Sequence, residues 1–287
     1  MLFLDSPKAM KQSQELKKVL EKYRIYPSKR LGQNFLIDKG AVKRVIEAAN
    51  LQPDDTVLEI GPGTGALTIE LAKRVKKVIA IEKDPNLARI LNNELRIKNI
   101  KNVEIIQGDI LKLDPKPYTL KPYKIVANLP FYLTAPAIRK FLESKIQPQQ
   151  MVLIVQKEVA QRICAKPPDM NLLAVSVQFY AKPEIISFVS RKSFWPQPKV
   201  DSAIIKIVSR QFRVPVSRQF RERFFRIVKA GFSQPRKQLI NNLSKGLKLE
   251  RNEVENWLLK NNIQATQRAE TLSIEDWISL TKSCKIK

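Results

Sequence analysis

The chain contains no histidine, so His-based triads, His general bases and His-containing metal sites are all excluded. Its two cysteines, Cys164 and Cys284, lie far apart with no CxxC, which leaves neither a zinc cluster nor a disulfide framework. A cysteine nucleophile would lack its activating base. No apolar run approaches the ~18 residues needed to cross a bilayer. The opening MLFLDSPKAM is too short in apolar residues for a signal peptide, so a cytoplasmic protein without membrane attachment is expected. Glycine is scarce as well: eight in 287 residues, where average usage of ~7% would give about twenty. Chemistry must therefore come from carboxylates, amides, backbone groups or a bound cofactor, without a metal.

What is abundant is positive charge. Lys and Arg total 52 against 27 Asp and Glu, a formal net charge of +25. Such an excess concentrates polyanions, and nucleic acid is the commonest. Charge alone fits a lysine-rich solvated surface equally well. At 44% hydrophobic residues the chain has material for packed cores, and its length suits about two domains at ~150 residues each.

The pattern divides the chain into three. Residues 1–27 form a basic extension, with Ser6-Pro7 placed to start a helix through Leu16, Val19 and Leu20. Residues 28–210 alternate short apolar runs with amphipathic helices. TVLEIG (56–61), KVIAIEKD (77–84), VEIIQGDI (103–110), YKIVANLP (123–130) and MVLIVQ (151–156) are β-branched and nearly continuous in apolar residues, as buried parallel strands are. In GALTIELAKRV, Leu67, Leu71 and Val75 share one helical face. EIISFVS (184–190) and SAIIKIVS (202–209) read as a closing antiparallel pair. This predicts an α/β fold, a doubly wound Rossmann-like sheet. Residues 211–287 have helical spacing, a basic balance, and Trp257 and Trp277 as anchors for a small α-helical domain.

Gly61, Gly63 and Gly65 cluster between the strand TVLEI and the helix that follows. Such a turn lets a ligand approach where a Cβ would collide, at the crevice where nucleotides bind. Glu82 ends the second strand, where a carboxylate can accept both ribose hydroxyls. Asp109 ends the third, where it can accept from an adenine amine. The G-x-G-x-G spacing differs from the dinucleotide fingerprint, whose helix receives a pyrophosphate. S-adenosylmethionine has no phosphate, so the spacing prefers it over NAD without settling the choice.

The fourth strand ends in Asn128-Leu129-Pro130-Phe131 over the same crevice. An exocyclic adenine amine is a poor nucleophile because its lone pair is delocalised into the ring. Two acceptors for its N–H groups, the Asn128 side-chain carbonyl and the Leu129 backbone carbonyl, favour a pyramidal nitrogen. Pro130 stiffens the turn. Phe131 offers a face for an extruded base.

KRLGQNFLID, LEIGPGTGALT, IEKD, GDIL, NLPFYLTAP, QKEVAQRI, FWPQPKVDSAIIKI and, in the helical region, AGFSQPRKQLINNL occur in one order along residues 28–243. In these motifs the chain resembles the ribosomal RNA adenine dimethyltransferases, and among them the bacterial small-subunit enzymes. The resemblance implies S-adenosylmethionine-dependent dimethylation of two adjacent adenines near the 3′ end of small-subunit rRNA, within a pre-30S particle; a monomer is expected because nothing in the sequence suggests an obligate dimer. It implies cofactor contacts from Asn34 and Leu36, completed by Gly61, Gly63, Glu82, Asp109 and Asn128. It also implies that Phe194 is a second aromatic wall beside Phe131. The family's glycine-containing loop after QKEVAQRI is replaced here by the glycine-free AKPPDMNLLAVS.

Three other readings stay open at this level: a large-subunit dimethyltransferase of the macrolide-resistance type, an assembly factor whose methylation is secondary or lost, and, more distantly, an NAD-dependent dehydrogenase. If the basic surface holds RNA, binding releases counterions, so affinity is expected to fall steeply between about 50 and 200 mM salt. Filter binding with small-subunit particles measures it, and a flat profile would contradict the basic-surface argument.

Overall fold

The structure is a computed structural model that describes residues 20–23, 26–114, 122–210 and 217–284. Apart from its last turn at Leu20, the helix expected from Ser6-Pro7 lies outside the described residues. In chain order the elements are β1 (Phe35–Leu36), α1 (Lys39–Ala49), β2 (Thr56–Ile60), α2 (Thr68–Ala72), β3 (Lys77–Glu82), α3 (Pro85–Ile97), β4 (Val103–Gln107) and β5 (Lys124–Asn128). They continue as α4 (Thr134–Leu142), β6 (Gln150–Gln156), α5 (Lys157–Ile163), α6 (Leu172–Tyr180), β7 (Ala181–Val189), β8 (Phe194–Trp195) and β9 (Ser202–Ser209). Four further helices close the chain: α7 (Arg218–Gly231), α8 (Leu239–Leu247), α9 (Arg251–Leu259) and α10 (Ile274–Ser283).

Seven strands form one sheet in the order β4-β3-β2-β5-β6-β9-β7. β2 pairs in parallel with both β3 and β5, β3 with β4, and β5 with β6. β9 runs antiparallel to β6, with Leu153 opposite Ile205. The two expected closing strands are neighbours in the sheet, with β9 between β6 and a β7 that begins earlier than its apolar residues suggested. The chain steps outward from β2 through β3 to β4, then returns to β5 on the other side of β2. That reversal makes the carboxyl ends of β2 and β5 the switch point where ligands bind in such sheets.

The central strands are apolar on both faces because helices cover both. Met151 through Val155 are all buried, as are Val57, Leu58, Val78, Ile125 and Val126. β4, at the edge, has only half-buried and exposed residues. On one face α1 contributes Ala41, Val42, Val45 and Ile46, and α2 with its flanks contributes Leu67, Leu71 and Val75. Caps set the helix boundaries: Asp38 accepts from the Gly40 N–H before α1, and Asp84 accepts from the Asn86 N–H before α3, whose first residue is Pro85. At the opposite end of the sheet, Lys124 donates to Asp55 Oδ2 and to the Asn50 carbonyl, each at 2.7 Å.

The described residues fold into two compact units, one drawn from 20–160 and 183–209 and the other from 161–182 and 210–284. Segment 161–182, which includes α6, therefore groups with the later helices. Within that unit Phe179 lies against Phe224, ring centroids 4.2 Å apart, with Tyr180 and Phe225 around them. Trp277 is fully buried and Phe232 packs on it at 5.6 Å. Trp257 is half-buried and donates to the Leu280 carbonyl at 3.2 Å. In the glycine-free loop, Asn171 caps α6 through Ala174 and donates to the Arg162 carbonyl, so side-chain hydrogen bonds shape it where glycine does not. No helix among the described residues is long and apolar enough to cross a membrane.

Gly231 abuts the Trp277 ring so closely that a Cβ would collide with it. Gly231→Ala is expected to destabilise the helical unit by about 1–3 kcal/mol, the cost of overpacking a filled core. Urea denaturation measures it, and an unchanged midpoint would show that the ring has room to move.

Candidate active site

A cleft lies over the carboxyl ends of β2, β3, β4 and β5. Asn34, Leu36, Gly61, Gly63, Glu82, Asp109, the run Asn128–Phe131 and Phe194 all line it. Residues scattered from 34 to 194 are therefore brought to one place.

The floor is the glycine turn after β2. Gly61 has φ +65° and Gly63 φ +58°, a region that L side chains rarely occupy. A Cβ on Gly61 would meet only Pro130 Cδ, at 4.0 Å, so this stretch of backbone is open to a ligand. On Gly63 it would press on the Phe35 ring at 3.2 Å. Gly65 serves packing instead, since a Cβ there would run into Leu91.

Glu82 is buried and braces this turn. Its Oε2 accepts from the Gly63 N–H at 3.0 Å, and its Oε1 from the Asp84 N–H at 2.9 Å. Burial holds its pKa above the ordinary carboxylate range, opposed by those two hydrogen bonds. Asp109 stands just beyond the end of β4 rather than on it, because the strand stops at Gln107. The Gly108 N–H still donates to the Glu82 carbonyl at 2.8 Å, so Asp109 keeps its place over the sheet end. Its Oδ2 pairs with Lys83 Nζ at 2.9 Å, and that contact lowers its pKa.

Asn128 ends β5 with its Nδ2 donating to the Asn34 carbonyl at 3.0 Å. With its amide nitrogen engaged, the acceptor end of the carboxamide is its Oδ1. The next peptide is tied down by the Leu129 N–H, which donates to the Ile154 carbonyl at 3.3 Å. A 3-10 turn at Phe131–Leu133 follows at once and leads into α4. Asn34 and Leu36 arrive through β1, which pairs antiparallel with β8, Leu36 opposite Phe194. Phe194 itself is only 4% exposed and belongs to the main core.

Two residues with a stake in this site escaped sequence reading. Lys83 entered only as part of a motif, yet it pairs with Asp109 and lines the cleft. Glu59, inside β2, was read as strand alone. It lines the cleft floor, is 2% exposed, and its Oε2 has no hydrogen-bond partner among the described residues. Burial raises its pKa to about 8, with Thr68 opposing and the Glu82 charge adding. The available signal was a carboxylate inside an apolar strand, a residue type seldom buried without a reason.

An open glycine turn and strand-end carboxylates at a switch point, beside an amide acceptor at the end of β5, define an α/β methyltransferase. The family model described as ribosomal RNA adenine dimethylase matches residues 27–285, and the chain belongs to that family. Its relatives include a ribosomal RNA small subunit methyltransferase A from Dehalococcoides mccartyi (strain CBDB1), 43% identical over 98% of this chain and 95% of that protein. A protein of the same name from Alkaliphilus metalliredigens is 43% identical over 93% and 94%. Among solved structures, the 23S rRNA methyltransferase ErmE aligns with a TM-score of 0.73 at 29% identity, over 87% of this chain and 99% of that one. A dimethyladenosine transferase from Plasmodium falciparum aligns at 0.71 and 27% identity, over 85% and 94%.

Because the folded-state pKa of Glu59 is raised, its contribution to stability is full below about pH 4.5 and lost as pH rises toward 8. Glu59→Gln removes the titrating group and should flatten that decline. Urea midpoints at about pH 5 and pH 8.5 test this, and parallel losses in both proteins would refute it.

Proposed function

We propose that this enzyme transfers methyl groups from S-adenosylmethionine to N6 of two adjacent adenines near the 3′ end of small-subunit rRNA, in a pre-30S particle. The observation that carries the reading is the Asn128 carboxamide, anchored through its nitrogen on Asn34 so that its oxygen remains the acceptor. The cleft suits the cofactor: Glu82 presents a carboxylate for the ribose, Asp109 a carboxylate for the adenine amine, and Gly61 leaves backbone open between them. Asn34 and Leu36 complete its walls. When bound, S-adenosylmethionine supplies an activated methyl on a sulfonium.

The chain's own residues do the rest. Asn128 Oδ1 and the Leu129 carbonyl accept the two N–H groups of the target amine and favour a pyramidal nitrogen. Pro130 fixes the turn, and Phe131, half-buried at the cleft, stacks the extruded base, with Phe194 closing the pocket behind. Once N6 carries the methyl group its proton is acidic enough to leave to water, so positioning is the main catalytic device. We assign catalysis to residues 28–210, RNA contact to the basic helices of 211–287, where Arg218, Lys229, Arg236 and Lys237 are exposed, and an accessory role to 1–27. The reading takes the protein as a cytoplasmic monomer. The small subunit is favoured over the large because the small-subunit relatives are 43% identical and the 23S enzyme 29%.

Incubating the protein with S-adenosylmethionine and unmethylated small subunits should yield N6,N6-dimethyladenosine in nucleoside mass spectrometry. Its absence, with folded protein, would reject the activity. Asn128→Ala should abolish the product while particle binding stays nearly intact. Loss of both in a folded variant would remove Asn128 from the chemistry.

A further inference from the structure

Tyr132 follows the catalytic run and lines the same cleft, and the residue is 50% exposed. The ring is not loose. It lies against Gly32, where a Cβ would be 3.5 Å from Tyr132 Cδ1 and 3.6 Å from Cε1. Gly32 has φ +61°, and the loop that carries it is closed on itself. The Gly32 N–H donates to the Lys29 carbonyl at 3.1 Å, and the Ser28 N–H to Gln33 Oε1 at 2.7 Å. Gln33 Nε2 then donates to Asp84 Oδ2 at 2.9 Å, which ties the loop to the start of α3. The Cδ1–Cε1 edge of the ring therefore neighbours a braced loop, while the residue as a whole is half exposed. Lys83 lines the same cleft as Tyr132, which puts a cation on the surface that the ring shares.

An adenine extruded into the cleft leaves its neighbour in the strand with one face unstacked. We propose that Tyr132 is the platform on which that neighbouring base stacks, with Lys83 of the same cleft facing the phosphates that join the two nucleotides. This positioning role rests on the adenine-methylating reading above. Stacking is sequence-tolerant and acts on binding rather than on the transferred methyl, so it should appear in KM.

The test compares the full-length protein with Tyr132→Ala and Tyr132→Phe on unmethylated small subunits. Expected for Tyr132→Ala is a KM about tenfold higher. Its kcat and its affinity for S-adenosylhomocysteine should stay within about twofold of the parent. Tyr132→Phe should match the parent, because the ring and not the hydroxyl does the stacking. A short oligoadenylate, followed by fluorescence anisotropy, gives a readout independent of turnover. Tyr132→Ala should weaken its binding, and the parent should prefer it to an abasic strand of equal length. An unchanged KM and unchanged oligoadenylate affinity in Tyr132→Ala overturns the proposal. So does an equal loss in Tyr132→Phe, or a loss confined to kcat or cofactor affinity. A parent that forms no dimethyladenosine but binds oligoadenylate through Tyr132 would reject the methylation reading and leave the platform standing.

Discussion

The hydrogen bond from Asn128 Nδ2 to the Asn34 carbonyl, 3.0 Å long, is the constraint on which the chemistry of the cleft rests. A carboxamide has a donor end and an acceptor end, and fixing one fixes the other. Much of the surrounding structure serves this bond. β5 delivers Asn128 to the switch point, β1 delivers Asn34, and the pairing of Leu36 with Phe194 holds β1 in place. Asn34 is steadied in turn by its own Nδ2, which donates to the Gly32 carbonyl at 3.2 Å. The same loop thus sets the acceptor inside the cleft and neighbours the aromatic ring of Tyr132.

Electrostatics divide the site into a dry floor and a wetter rim. Glu59 and Glu82 stand on the neighbouring strands β2 and β3 at the cleft, and both are pushed upward by burial. Glu82 is held by two backbone N–H groups, while Glu59 is kept near neutrality by a pKa of about 8. Two full negative charges that close in a low-dielectric floor would repel each other strongly, and a protonated Glu59 avoids this. On the rim, Asp109 and Lys83 pair with partial exposure to solvent, where such a bridge stabilises little. A ligand amine can compete for Asp109 there at modest cost.

The sheet was legible because buried parallel strands announce themselves as short β-branched runs, and the five in 56–156 fall where the apolar residues are. Edges were less legible: β7 begins at Ala181, ahead of its apolar residues, and β4 stops short of Asp109. β1 and β8 are two residues each, too short for any periodicity to register. Of the site residues, Gly61, Glu82, Asp109 and Asn128 stood out because each ends a strand or begins a turn. Asn34, Leu36 and Phe194 were reachable only through resemblance. Glu59 was hidden inside a strand pattern, and Tyr132 entered only as part of the motif NLPFYLTAP.

Residue by residue, the chain dictated what local chemistry can dictate: which runs form strands, where caps start helices, where glycine permits a left-handed turn, and which reactions lack a histidine or thiol to perform them. These follow from backbone sterics and side-chain shape within a few neighbours. Which distant groups meet was decided only in three dimensions. Asn34 against Asn128, Lys83 against Asp109, Gln33 against Asp84 and Gly32 beside Tyr132 are contacts between separate loops. Their existence depends on strand order and on the reversal beside β2. No local propensity encodes that reversal, because it arises from burying all the apolar faces at once.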